Sequence, residues 1–193
     1  MDDIKKLAKQ IRDKELDGLE QLIARLEEYR RNGDWADLCL RILTSGQIGM
    51  AFTFPFYFPL IPDEMKYDFI VRAYIHNGNH IPAIRKALRL ARRYGSPVFP
   101  QDLAQQEVIT IYRSGREPMD KAKYRISWTT SRDIATWFWE RKSQFKRTSV
   151  HIYQGKIKRN KVIAYTDLRG EQEVMQYRNV FDIFDIEDIS PQI

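Results

Sequence analysis

The chain has 193 residues, of which 43% are hydrophobic and 30% charged, and a formal net charge of +6. That balance is globular rather than disordered. It leaves room for one larger domain or two small ones, and it favours anionic partners: a dinucleotide, nucleic acid or an acidic protein surface. A single cysteine, Cys39, excludes an intramolecular disulfide and a cysteine-rich metal site.

The opening stretch, MDDIKKLAKQ, starts acidic and becomes amphipathic, without the apolar core of a secretory signal. Ile4, Leu7 and Ile11, then Leu19, Leu22, Ile23, Leu26 and Tyr29, recur at the three-and-four spacing of an amphipathic helix, which Asn32 and Gly33 stop. Asp34 is the expected N-cap of WADLCLRIL, where Cys39 falls in an apolar helical pattern and reads as a buried structural thiol. The longest apolar run, Ile48–Ile61, carries two prolines and falls short of the ~20 residues a bilayer span needs. It is predicted as a buried extended or looped segment, with no membrane partner and a cytoplasmic setting. A toxin delivered by a dedicated machine would carry the same features.

Pro62, Asp63 and Glu64 open the next helix, DEMKYDFIVRAYI. HNGNH follows. His76 and His80 stand four apart, a zinc spacing on a continuous helix, but Asn77 and Gly78 break the helix between them and no third ligand is evident. A turn with two surface imidazoles is expected, and no metal. PAIRKALRLARRYG is a helix ending in Arg92 and Arg93 before Gly95.

At GSPVFPQ (Gly95–Gln101) clustered turn-formers mark a junction, dividing a helical domain, 1–100, from a second domain, 101–193. Beyond it β-formers dominate: EVITIYR, YRISWTT, SVHIYQGKI, KVIAYT, EVMQY and VFDIFDI. A hairpin turn is expected at Arg159 and Asn160. One main helix, SRDIATWFWERK, interrupts the strands, with Ser131 at its start. The fold class is α+β.

Several strings in this half carry chemistry. Lys142–Lys161 interleaves Lys and Arg with aromatics, a pattern of nucleic-acid binding that a solvated strand face explains equally well. In ATWFW, Phe138 reads as core, while Trp137 and Trp139 stay open between packing and stacking. VITIYRSG ends a strand in Arg113, a candidate two-pronged phosphate clamp. ISWTTSRDIA ends a strand in hydroxyls that either cap the helix or orient a ligand. LRGEQEVMQY sets Glu171 and Glu173 at the mouth of a strand after a tight Arg169–Gly170 turn. On a strand they would share a face, a costly pairing of like charges.

In that order, an arginine strand, a Ser-x-Thr strand with a helix, and a Glu-x-Glu strand, the half from about 105 to 190 resembles the ADP-ribosyltransferase family, Arg-Ser-Glu class. The matching residues are Arg113, Ser127 with Thr129, and Glu171 with Glu173. The chain departs from the pattern in Ser114–Gly115 after the arginine and in the bulky Trp128 at the middle of the second motif. The resemblance implies an NAD-binding domain of two packed, mostly antiparallel sheets with one main helix. It implies mono-ADP-ribosyl transfer with NAD as co-substrate, split at the nicotinamide–ribose bond. Glu173 would be the catalytic carboxylate, Ser127 its anchor, and Arg113 the holder of the pyrophosphate. The backbone of Ser114 would read the nicotinamide amide, Trp128 would crowd or stack on the ring, and Thr129 would line the site. Glu171 would face an arriving acceptor, an arginine side chain of a protein in preference to nucleic acid, and take up its proton. Val174 and Met175 would anchor the acidic pair in the core.

Two other functions remain in view: an NAD glycohydrolase, and a non-enzymatic basic module binding nucleic acid or protein. The helical half is expected to cover the cleft, carry the target or bind an inhibitory partner. Phe52–Phe58 is its candidate surface, read first as an inter-domain contact.

Overall fold

The computed structural model describes residues 2–77, 81–144, 149–177 and 182–191. The chain divides into two compact units, Met1–Gly95 and Ser96–Ile193.

The first unit is helical: α1 (Asp2–Asn32), α2 (Trp35–Leu43), α3 (Gly46–Tyr57), α4 (Asp63–Asn77) and α5 (Pro82–Leu90). Gly33, at φ 77°, ends α1 in the left-handed conformation that glycine adopts without strain. Asp34 stands at the N-cap of α2, but its side chain makes no capping hydrogen bond. The core is apolar: Leu26, Leu38, Ile42, Met50, Phe54, Ile70, Ile84 and Leu88 are fully or almost fully buried. Cys39 joins it, and burial pushes its thiol up to about 12. His76 lies in the last turn of α4, and His80 lies outside the described residues. Among the described residues no helix is long and apolar enough to cross a membrane, and no cluster of His, Cys, Asp or Glu could hold a metal ion.

The apolar run Ile48–Ile61 is not extended. It forms most of α3 and a following 3-10 turn, Phe58–Leu60, with Pro55 inside the last turn of the helix. Met50, Phe54 and Tyr57 lie on one helical face and are buried, and Phe54 stacks on Phe58 and Phe69 at 5.2 and 5.3 Å. Packing of that face outweighs the backbone bond that Pro55 removes. The run reads as featureless because Phe52 and Phe56, on the exposed side of the helix, are apolar too; Phe56 is 73% exposed.

The second unit is α+β. Its elements are α6 (Gln101–Ala104), β1 (Val108–Gly115), α7 (Met119–Ala122), β2 (Ser127–Thr129), α8 (Arg132–Ser143), β3 (His151–Lys158), β4 (Ala164–Thr166), β5 (Glu173–Met175) and β6 (Ile183–Asp188). The described strands form one antiparallel six-stranded sheet, ordered β4-β5-β2-β1-β3-β6, where two packed sheets were expected. The reason lies in β1. It pairs with β3 along all eight residues and with β2 on its other edge, so both rows of its backbone groups are used and the two strand groups are stitched together. The expected hairpin at Arg159 and Asn160 is a 3-10 turn between strands that do not pair. The true hairpin is β4–β5, and it presents the two glutamates.

Pairing and alternation give the sheet two unlike faces. Ile109, Ile111, Trp128, Tyr153, Ile157 and Val174 form the core of one. Ser127, Thr129 and Glu173 stand on the other. Helix α8 packs near the β1 end, capped by Ser131, whose Oγ accepts from the Ile134 N–H at 3.3 Å.

Candidate functional site

Every residue singled out from the strand motifs borders one crevice of about 180 Å³: Arg113, Ser114, Ser127, Trp128, Thr129, Glu171 and Glu173. Ala135, Phe138 and Lys142, one face of α8, supply the opposite wall.

At its centre is Glu173, the first residue of β5, 4% exposed. Ser127 is two positions along the neighbouring strand and on the same face. Its Oγ donates to Glu173 Oε1 at 2.5 Å, across 46 residues of sequence. Burial holds the Glu173 carboxyl above its ordinary value, against the Ser127 hydrogen bond and the Arg169 charge, and the neighbouring Glu171 adds to the rise. The carboxylate is thus fixed in rotamer and poorly solvated, which strengthens its interaction with any positive charge nearby.

Glu171 is not on the strand. It precedes β5 in a loop where Gln172 takes φ 45°, an uncommon conformation for a residue with a side chain. The loop is pinned at several points. Gly170, at φ 67°, closes a turn by donating its N–H to Asp167 O at 2.9 Å. Asp167 Oδ1 accepts from the Gln172 N–H at 2.9 Å, and Thr129 Oγ1 donates to Glu171 O at 2.7 Å. Thr129 Oγ1 also accepts from the Ser131 N–H. Thr129 therefore positions the Glu171 loop and the start of α8; its hydroxyl is not offered to a ligand.

Two further assignments change. Trp128 borders the crevice, but its side chain is 2% exposed, belongs to the core face and donates its indole N–H to Arg125 O. A buried indole whose N–H is already bonded stabilises the sheet and does not stack on a nicotinamide ring. Arg113 alternates with Tyr112 and Ser114, so it leaves β1 from the core face and reaches the crevice from behind. Its Nε meets Glu117 Oε1 at 2.8 Å and its Nη1 donates to Ser127 O at 2.6 Å, which clamps the backbone of the serine that holds Glu173. Gly115 permits this: a Cβ there would lie 2.6 Å from the Glu117 carboxylate. Burial pushes the Glu117 carboxyl up, but Arg113, with Arg125, outweighs it and holds the group below its ordinary value.

Ser114 offers something other than the backbone contact expected. Its carbonyl accepts from Lys142 Nζ at 2.7 Å, while its hydroxyl is buried, faces the crevice and has no partner among the described residues. A buried unsatisfied hydroxyl costs roughly 1–3 kcal/mol, so it marks a place where a ligand group would be favoured. Lys142 stands over Phe138 at 5.5 Å; burial first, then Arg113, lowers its ammonium below the ordinary value. Lys142 gives this end of the crevice a positive charge beside Arg113, whose own charge is paired with Glu117, and Arg116 donates to Lys142 O. Trp139, left open from sequence, donates to Val150 O and is structural, whereas Trp137 is largely exposed.

Three participants escaped the sequence reading. Lys142 looked like the first residue of a solvated basic run. Glu117 carried only one signal, its place four residues after Arg113. Arg169 carries only the signal of a turn, yet its Nη2 meets Glu171 Oε2 at 2.7 Å and Glu173 Oε2 at 3.1 Å. No protein-family model, curated protein or solved structure matches the chain.

Proposed function

We propose that the second unit is an NAD-dependent mono-ADP-ribosyltransferase, with an arginine side chain of a protein as acceptor. The observation that carries the reading is the buried Glu173 held by Ser127 inside a crevice that also receives Glu171 and a cationic end. The crevice is smaller than the ~300–1,000 Å³ that encloses a drug-sized ligand, which suits one end of a dinucleotide with the remainder along the surface.

In this reading Glu173 faces the ribose. Rupture of a glycosidic bond builds positive charge on the sugar, and a fixed, weakly solvated carboxylate stabilises that charge as it develops. Ser127 holds the carboxylate; Arg113 holds Ser127. The Ser114 hydroxyl supplies a hydrogen bond to the nicotinamide end, and Lys142 supplies positive charge toward the pyrophosphate. Glu171 aligns the acceptor guanidinium and takes its proton as the new bond forms. NAD brings the ADP-ribosyl group and a leaving group that departs neutral.

The test is nicotinamide release from NAD by the full chain. Wild type releases it, and Glu173→Gln lowers the rate roughly 10²–10³-fold. Glu173 is raised above its ordinary 4.5, so the protonated form stabilises the fold below that value, and the contribution is lost as pH rises through the folded value. Gln mimics the protonated form, so the variant melts at or above wild type at neutral pH. Equal background release by both proteins would remove the enzyme reading; steeply salt-dependent nucleic-acid binding would then favour a basic module. Glu171→Gln separates the acceptors: a transferase loses transfer and keeps NAD cleavage, whereas a glycohydrolase shows cleavage without transfer in wild type and variant alike.

A further inference from the structure

We propose that Arg169 occupies the acceptor position of its own site and is ADP-ribosylated in cis. This rests on the reading of Glu173 as the carboxylate that faces the ribose. The observation is that one nitrogen, Arg169 Nη2, is shared between Glu171 Oε2 and Glu173 Oε2 at 2.7 and 3.1 Å. A guanidinium is the group an arginine acceptor would bring, and a position between the two acids is where such an acceptor must stand to be both aligned and relieved of a proton.

The hairpin loop explains how a side chain so near in sequence gets there. Leu168 and Arg169 are the central residues of the turn closed by Gly170, and the chain then reverses through Gln172 into β5. Arg169 is thereby folded back over residues two and four positions ahead of it. Its side chain is 46% exposed, so its guanidinium is open to solvent while the acids it meets, Glu173 at 5% and Glu171 at 28%, are more deeply set. Arg169 lies within hydrogen-bonding distance of both acids, and its half-exposed guanidinium is open to a sugar carbon as the leaving group departs.

The step balances. The bond from ribose C1′ to the nicotinamide nitrogen breaks, and its electron pair stays on nicotinamide. An Nη of Arg169 forms the new C1′–N bond, and the proton it sheds passes to Glu171. No oxidant or reductant enters; NAD is the co-reactant.

Intact-mass measurement and peptide mapping after incubation of the full chain with NAD test this. The expected result is one ADP-ribose on the peptide carrying Arg169. Its first-order rate constant should not change with protein concentration, and the adduct should be absent in Glu173→Gln. Arg169→Lys, with its fold checked by melting, should lose the adduct. Nicotinamide release that depends on Glu173 without an adduct at Arg169 overturns the self-modification and leaves the transferase reading standing. An adduct whose rate constant rises with protein concentration overturns the in-cis route. Absence of Glu173-dependent release overturns both.

Discussion

The two units place their polar contacts differently. In the helical unit Tyr57 reaches Glu27 across 30 residues, but near neighbours supply the other pairs: Arg30 with Glu27, Lys66 with Asp63, Arg72 with Asp68, and Thr53 with Gly49 O. These are three- and four-residue helical spacings that follow from local geometry and contribute little each. In the sheet unit the polar links span long stretches of chain: Ser127 to Glu173, Thr129 to Glu171, Lys142 to Ser114, and Gln176 to Lys123 and Arg125. Glu173, Gln176, Ser114 and Thr129 are buried there. An acid buried in a sheet costs stability that an apolar residue would not, which is why Glu173 stands at the centre of the proposed site.

The strongest way to break this comparison lies in the helical core. Leu26 is fully buried among apolar neighbours, and Leu26→Ala is expected to cost about 2–5 kcal/mol in urea denaturation. A loss below ~1 kcal/mol would show that the apolar core does not hold that unit together. Next comes Ser127→Ala. Removing the donor frees the Glu173 rotamer and should lower NAD cleavage about 10- to 100-fold, with a smaller effect on melting than Leu26→Ala. An unchanged rate would make the serine a bystander. The finest effect concerns pH. On the proposed reading Glu173 works ionised, and because its carboxyl is raised, activity should fall on acidification along a limb centred above pH 4.5. Arg169 opposes that rise, so Arg169→Gln should move the limb to higher pH. A limb unmoved in the variant would show that the Arg169 charge does not reach the site.

Much of this arrangement can be traced in the residues themselves, though unevenly. The change from helical to strand patterning near Gly95 follows from periodicity, and the helical positions of Leu22, Leu26, Leu38 and Ile42 from spacing. The α3 helix does not, because its exposed face is as apolar as its buried one and two prolines argue against it. The strands were visible as segments, but their order was not. Nothing in KVIAYT or SVHIYQGKI says that these neighbours in sequence avoid each other in the sheet. Arg113, Ser127 and Glu173 were identifiable by type and order. The burial of Trp128, the commitment of Thr129 to the Glu171 loop and the approach of Arg113 from the core face depend on register.

By itself, the sequence determined the local preferences: which segments turn helical or extended, where glycine releases the backbone, and which acids, hydroxyls and cations are present to be used. These depend on propensities and periodicities acting over a few residues. Tertiary structure alone decided that Ser127 would hold Glu173, that the Ser114 hydroxyl would find no partner among the described residues, and that Arg169 would fold back over both acids. Those outcomes depend on strand order and register, which distant segments settle together when they exclude water from a shared core.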